Sequence, residues 1–125
     1  MTASTGFVEF LQDQLRSVGP VAIRRMFGGA GVFVDGIMFA LIADDTLYFK
    51  ADEATRAEFE AEDMPAFSYE TKDGRKSLVS YWRAPERLFD DPEEMQAWAM
   101  KALGAARRAA GAKSRKTKTG KKRAG

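Results

Sequence analysis

The sequence contains neither cysteine nor histidine. Without cysteine the chain can form no disulfide and carries out no thiolate chemistry. Without histidine it lacks the usual general base, the usual partner of a serine nucleophile and the commonest metal ligand. Catalytic triads and zinc sites built on those residues are therefore excluded. We identify no catalytic residue, no metal ligand set and no cofactor motif, and we predict a protein that is not an enzyme.

Long apolar runs and export signals are also absent. No stretch approaches the ~18 consecutive apolar residues of a membrane span, and the N-terminus lacks the basic, apolar and small-residue order of a secretory signal. These absences predict a cytoplasmic protein. The 125 residues are 45% hydrophobic and include nine Phe, three Tyr and two Trp. This composition is sufficient for one domain with one core.

Acidic residues are missing from the C-terminal end. Residues 107–125 contain nine basic residues and no acid, whereas residues 1–106 hold eleven basic and all eighteen acidic residues, a net charge of −7. We therefore predict a folded domain over residues 1–111 and a disordered basic tail over residues 112–125, whose composition offers no apolar anchor.

Such a tail can follow a phosphate backbone with little sequence preference. The alternative is a solvated extension that only aids solubility. The predicted nucleic-acid-binding residues are the seven basic side chains of the tail: Lys113, Arg115, Lys116, Lys118, Lys121, Lys122 and Arg123.

Apolar periodicity predicts a helix over residues 7–18, ended by Gly19-Pro20, and then a series of short strands. The strand-like runs are separated by turn residues such as Asp35-Gly36 and Asp44-Asp45, and Asp-Gly is a strong hairpin signal. We therefore predict a four-strand antiparallel meander whose third strand, apolar on both faces over residues 38–42, is central and buried. The four runs are residues 21–27, 31–34, 37–43 and 46–50.

The second half of the chain predicts a short helix over residues 52–62, a hairpin of residues 66–70 and 77–83, and a final helix. Asp91, Pro92 and Glu94 form a capping box at the start of that helix, and Gly111 is a natural stop. The predicted fold class is α+β: an antiparallel sheet of about six strands, the meander plus the hairpin, with three helices packed mainly on one face.

Two motifs have structural explanations beside functional ones. Gly28-Gly29-Ala30-Gly31 invites comparison with a phosphate-binding loop, but a strand follows it and no helix. A turn or bulge where another backbone approaches closely is the better account. The adjacent acids Asp44-Asp45 and Asp90-Asp91 fit a turn and a helix N-terminus. A hard-cation site of scattered carboxylates stays open, because it would leave no sequence trace.

Two basic and aromatic clusters are candidate partner-binding sites. Arg24-Arg25-Met26-Phe27 alternates across a strand, so Arg24 and Arg25 lie on opposite faces, and Ser80-Tyr81-Trp82-Arg83 places Tyr81 and Arg83 on one face. Arginine beside exposed aromatics is typical of interaction hot spots, although ordinary two-faced strands have the same pattern. The candidate partner-binding residues are Arg24, Arg25, Tyr81 and Arg83.

Several segments resemble the TfoX N-terminal domain family. They are RMFGGAGVFVDG (25–36), MFAL (38–41), LYFK (47–50), SYWRAP (80–85) and DDP (90–92). The resemblance covers roughly residues 7–110 and implies an α+β domain with helices against an antiparallel sheet. TfoX-type regulators of natural competence act in transcription by cooperating with the cyclic-AMP receptor protein at its DNA sites. We interpret the sequence as a single-domain member in which the basic tail stands in place of the second domain of longer members.

We therefore expect a non-enzymatic regulatory protein, a transcription co-regulator resembling TfoX. It would contact a protein partner such as a transcription factor through its sheet or helices and nucleic acid weakly through its tail, without a membrane or a cofactor. The alternatives are a small-ligand-binding or enzymatic domain that uses Tyr, Arg and carboxylates in a cleft, and an oligomerisation domain. We also expect a homodimer, because a small sheet has unpaired edges.

Overall fold

The computed structural model describes the backbone of residues 3–26 and 28–124, and the side chains of these residues except 79 and 112–124. The described residues form one antiparallel sheet of six strands in the order β1-β2-β3-β4-β6-β5 and three α-helices. The predicted α+β fold is confirmed. Within the described part of the chain, no helix is both long enough and apolar enough to cross a membrane.

The order along the chain is the predicted one: a helix, four strands, a helix, two strands and a final helix. The strands are β1 (Val21–Met26), β2 (Gly29–Val34), β3 (Ile37–Ala43), β4 (Thr46–Lys50), β5 (Ala66–Thr71) and β6 (Gly74–Arg83). The helices are α1 (Thr5–Gln14), α2 (Arg56–Ala61) and α3 (Pro92–Ala124), and two 3-10 turns span Arg16–Val18 and Glu86–Asp90.

The tight turns of the meander explain its antiparallel order. Asp35 and Gly36 have φ of 51° and 78°, and Asp44 and Asp45 have φ of 52° and 51°. Both central residues of each turn are thus left-handed, which is the geometry that matches the twist of the strands they join. The structural explanation of the Asp44-Asp45 pair, a turn, is confirmed.

Strand β3 lies inside the sheet between β2 and β4, as the sequence predicts. Its pairing with β2 shifts register between Val32 and Phe33, so that one extra residue is accommodated. Because of this bulge, Phe39 and Ala40 both belong to the main core, and both side chains are fully buried. Met38 and Leu41 point to the other face of the sheet and are half-buried.

The main core lies between the sheet and the helices. Helix α1 contributes Leu11, the residue that follows it contributes Leu15, α2 contributes Phe59, and α3 contributes a stripe of apolar residues. The Phe59 ring meets Trp98 of α3 edge-on, with 5.0 Å between ring centroids. The stripe of α3 consists of Met95, Trp98, Ala99, Ala102, Leu103 and Ala106. The three helices therefore cover one face of the sheet.

Helix α3 begins where the sequence predicts. Asp91 Oδ1 accepts a hydrogen bond from the Glu94 backbone N–H at 3.1 Å, and Pro92 is the first helical residue. The other hydrogen bond of the predicted capping box, from the Asp91 backbone N–H to the Glu94 carboxylate, is wrong. The Glu94 carboxylate instead accepts from the Arg87 guanidinium, at 2.8 Å for Oε2, because a charged donor from the preceding 3-10 turn competes with the backbone N–H.

Helix α3 does not end at Gly111. The backbone stays helical to Ala124, so the predicted stop, and the predicted disorder of residues 112–124, differ from the structure. Among the residues with described side chains, Ala106 is the last buried one and residues 107–111 are exposed. A helix nucleated by packing can extend through residues 112–124, because nine of these thirteen residues are Ala, Lys or Arg, which are good helix formers. The domain boundary at residue 111 stays a prediction.

The glycine-rich motif brings two strands together. Gly28 has φ of 78°, and a Cβ added at Gly29 would lie 2.1 Å from the Ile42 carbonyl oxygen of β3. The interpretation as a turn where another backbone approaches closely is confirmed for this motif. It provides no phosphate cradle of the helix-linked type, because strand β2 starts at Gly29.

We expect Gly29→Ala to lower the free energy of unfolding by about 3 kcal/mol, because a methyl group there forces β2 away from β3. The measurement is urea denaturation. Gly6→Ala is the matched control: nothing lies within 4 Å of its added Cβ, and in helix α1 alanine should stabilise by up to about 1 kcal/mol. Similar unfolding midpoints for the two variants would contradict the close approach.

Candidate interaction surface

The face of the sheet opposite the helices has an apolar cluster of its own. Ala43, Phe67 and Tyr81 are buried there, and four partly buried residues pack against them: Met38, Leu41, Tyr48 and Tyr69. All seven lie on strands. We call this side of the sheet the helix-free face, because no helix residue with a described side chain belongs to its cluster.

Aromatic side chains hold the β5–β6 hairpin against this cluster. The Phe67 ring meets Tyr48 edge-on with 4.9 Å between centroids and stacks on Tyr69 at 5.9 Å. The pairing of β5 with β6 shifts register between Ala66 and Phe67, and such irregularities bend a strand. The hairpin thereby contributes one wall of a concave surface.

The helix-free face contains a cleft of about 510 Å³ whose lining combines residues of both halves of the sheet. Its surface is almost wholly apolar, and Leu78 at its border is 39% exposed. Side chains of β1, β2 and β3 converge over Gly31, where an added Cβ would lie 2.8 Å from Met38 Sδ. The cleft is lined by Met26, Gly29, Ala30, Met38, Leu41, Ile42, Ala43, Phe67, Tyr69, Leu78 and Tyr81.

The charged strand residues of the helix-free face are all basic. Strand pairing places Arg24 beside Gly31, Lys50 beside Tyr81, Arg83 beside Tyr48 and Lys76 beside Tyr69, and paired residues of a sheet share a face. The one acidic strand residue, Glu70, lies on the other face, where its carboxylate pairs with Arg75 at 3.2 Å. The face therefore presents four cations among its strand residues and no carboxylate.

Three of these cations lack a carboxylate partner among the described residues: Arg24, Lys50 and Lys76. The Arg24 guanidinium lies 5.5 Å from the Phe33 ring centroid, and Lys50 Nζ lies 5.1 Å from that of Tyr81. Rings can attract a cation but do not neutralise it. Arg83 differs, because its guanidinium is 3.6 Å from the Glu86 carboxylate.

Tyr81 sits in the cleft beside Lys50. Burial raises the pKa of its hydroxyl above the ordinary value. The side chain therefore stays neutral at physiological pH and adds no negative charge to the face.

The structure brings together three of the four predicted partner-binding residues. Arg24, Tyr81 and Arg83 lie on the helix-free face, whereas Arg25 points to the helix side, where its guanidinium donates to the Ala3 carbonyl oxygen. Arg24 is on edge strand β1, and Tyr81 is on β6, which lies four strands away from β1 in the sheet. They are therefore two ends of one surface and not one contact point.

Sequence reasoning missed Lys50, Lys76 and the apolar residues of the cleft. A signal was present in the hairpin, where Phe67 and Tyr69 alternate with Ser68, and Leu78 alternates with Ser77. This alternation indicates one apolar and one polar face. It does not say whether a helix covers the apolar face.

The other predicted sites have simpler outcomes. The side chains of the seven basic tail residues lie outside the described residues. Asp45 Oδ1 accepts from the Ser4 N–H at 2.6 Å, and Asp91 caps α3, so both carboxylates have structural roles. No group of three or more metal-ligating side chains occurs in the part of the chain that the structure describes.

Comparison with known proteins finds a matching family and a similar protein. The pattern of the TfoX N-terminal domain matches residues 13–106. The chain is also similar to Protein Sxy of Escherichia coli strain K12, with 31% identity over 78 residues. That alignment covers 62% of this chain and 37% of Protein Sxy, so the chain spans well under half the length of this relative.

Proposed function

This chain belongs to the TfoX N-terminal domain family, and on that premise we propose that it is a non-enzymatic regulatory protein of the competence type. It acts in the cytoplasm as a transcription co-regulator by binding a protein partner, a transcription factor, on its helix-free face. The basic tail adds weak contact with nucleic acid.

The observation that carries this proposal is the apolar cleft with unpaired cations around it. Exposed apolar surface bordered by charge is typical of interaction sites. The cleft joins the exposed Leu78 to the rings of Phe67 and Tyr81. Arg24, Lys50 and Lys76 lie on the same face and are available to a partner. The resemblance to TfoX-type regulators favours transcription as the process served.

A second candidate function is binding of a small apolar ligand. The cleft volume of about 510 Å³ falls within the range of small-molecule sites. The cleft differs from the site lined by Arg, Tyr and carboxylates that we expect for an enzyme, because no carboxylate lines it. The cleft residue Tyr81 lies beside a single cation, Lys50. We therefore retain it as the alternative.

The expected homodimer stays a prediction. Strands β1 and β5 form the two edges of the sheet, and unpaired edges invite pairing with a second chain.

We expect Leu78→Asp to abolish the effect of this protein on transcription. A carboxylate at the border of the cleft would be buried unpaired against a partner, which costs several kcal/mol of binding free energy. The measurement is RNA sequencing in cells of the source species after induction of wild type or variant in a strain that lacks the native gene.

Ser77→Asp is the matched control, because it introduces the same charge one residue away, on the opposite face of β6. Ser77→Asp should keep the wild-type transcript changes. Loss of the changes in both variants would mean that added charge or instability, and not the helix-free face, is responsible. If wild-type induction itself changes no transcripts, the regulatory function is wrong.

A further inference from the structure

We propose that the cleft binds an acidic amphipathic segment of the partner protein. The apolar side chains of that segment would fill the cleft, and its carboxylates would meet Arg24, Lys50 and Lys76. This inference rests on the proposed function and gives the partner its chemistry.

The first argument is the separation of charge across the domain. Residues 1–106 carry a net charge of −7, yet the strands contain one acid, Glu70, and it faces the other side. All other acids lie on helices and loops. An acidic partner would be repelled by the rest of the domain and attracted to the helix-free face, which fixes both the site and the orientation of binding.

The second argument excludes a second copy of the chain as the occupant of this face. A twofold dimer brings the same patch of each protomer together. Here the pairing would set four basic side chains against four basic side chains, and Glu86 is the one carboxylate of the described residues that any of them contacts. The face is complementary to an acidic surface and not to itself.

The third argument separates a peptide from a nucleic acid. Single-stranded nucleic acid needs open ring faces on which bases stack. The rings of this face are turned toward one another: Phe67 and Tyr81 are 7% exposed, and Phe67 is in contact with both Tyr48 and Tyr69. The cleft offers instead methionine and leucine side chains, which adapt to the apolar side chains of a peptide.

The fourth argument concerns shape. A membrane surface is bound by apolar side chains that protrude into it. The apolar side chains of this face line a concavity of about 510 Å³. A cleft of this size has room for apolar anchor side chains, as grooves that bind amphipathic helices do.

The test is a fluorescence anisotropy titration of the full-length protein with three labelled peptides of about 16 residues. The acidic amphipathic peptide has Leu on one helical face and Glu elsewhere. The basic peptide replaces each Glu with Lys, and the polar acidic peptide replaces each Leu with Ser. Because the basic tail also attracts acidic peptides, the polar acidic peptide measures that background. We expect the acidic amphipathic peptide to bind at least about tenfold more tightly than either control.

Variants locate the binding site. Lys76→Glu and Lys50→Glu should each lower the affinity for the acidic amphipathic peptide by about tenfold. Arg75→Glu is the matched control for Lys76→Glu: it makes the same charge change at the adjacent residue, on the other face of the sheet, where it removes an exposed ion pair with Glu70. Its affinity should stay within about twofold of wild type.

Three outcomes would overturn the inference: equal binding of the acidic and basic amphipathic peptides, equal binding of the two acidic peptides, or equal effects of Lys76→Glu and Arg75→Glu. Competition by duplex DNA that is lost in Lys76→Glu and kept in Arg75→Glu would reassign the face to nucleic acid. The proposed function is judged separately by the transcript changes, which could depend on Leu78 even if no acidic peptide binds.

Discussion

Removal of residues 112–125 is expected to abolish binding of this protein to duplex DNA. The segment carries seven basic residues and no acid, whereas residues 1–106 carry a net charge of −7 and repel phosphate. Among the residues with described side chains, the last buried one is Ala106 and residues 107–111 are exposed, so we expect the truncation after Gly111 to leave the core intact. The helical backbone of residues 112–124 is compatible with this binding, which depends on charge and not on a folded contact surface.

The salt dependence of binding gives the magnitude. If most of the seven charges meet phosphates, log affinity should fall against log salt with a slope on the order of −4 to −6. Between about 50 and 200 mM salt this slope corresponds to a loss of about 250- to 4,000-fold. An extension that only aids solubility would show no such loss, because it releases no counterions from DNA.

The measurement is a fluorescence titration of labelled duplex DNA at both salt concentrations. A chain with Gln at the seven basic tail positions is the matched control, since it keeps the length and removes the charge. It should behave as the truncated protein does. Equal binding by full-length and truncated protein would contradict DNA binding by the tail. The next candidates for the DNA contact would then be Arg24, Arg25 and Arg83. Absence of binding at low salt would leave the tail without a nucleic-acid role.

Phe39→Ala should lower the free energy of unfolding by about 3–5 kcal/mol. The Phe39 side chain is fully buried in the core between the sheet and the helices, and the β-bulge lets it lie on the helix side of the sheet together with Ala40. Its removal leaves a cavity that neighbouring side chains fill only in part. Since domains of this size are stable by about 5–15 kcal/mol, the loss is a large fraction of the total.

Phe10→Ala is the matched control for this substitution. Phe10 is 40% exposed and contacts Phe89 at 6.1 Å between ring centroids, so its removal should cost less than about 1 kcal/mol. Urea denaturation followed by far-ultraviolet circular dichroism measures both. A Phe39→Ala midpoint equal to that of Phe10→Ala would show that β3 is not the centre of the core.

The sequence by itself determined the elements whose causes are local. The left-handed turns at Asp35-Gly36 and Asp44-Asp45 require residues that tolerate positive φ, and those residues stand at the predicted places. The start of α3 follows from Asp91 and Pro92, because an N-cap acts within one turn of helix. The close approach at Gly29 follows from the need for a position without a Cβ. These features yielded the fold class and the strand order of the meander.

Only the tertiary structure decided where the candidate site lies. Apolar alternation in the hairpin indicates that Phe67 and Leu78 face one side, but the bulges that bend the strands and the placement of all three helices on the other side leave that side open. The sequence analysis also missed the continuation of α3 past Gly111. Packing of the preceding turns nucleates this helix, whereas the local sequence alone does not. The grouping of Arg24, Lys50 and Lys76 on one face depends on strand register over long sequence distances. The local propensity of a segment does not predict which distant strand residue it pairs with, because strand register is fixed when the whole core packs.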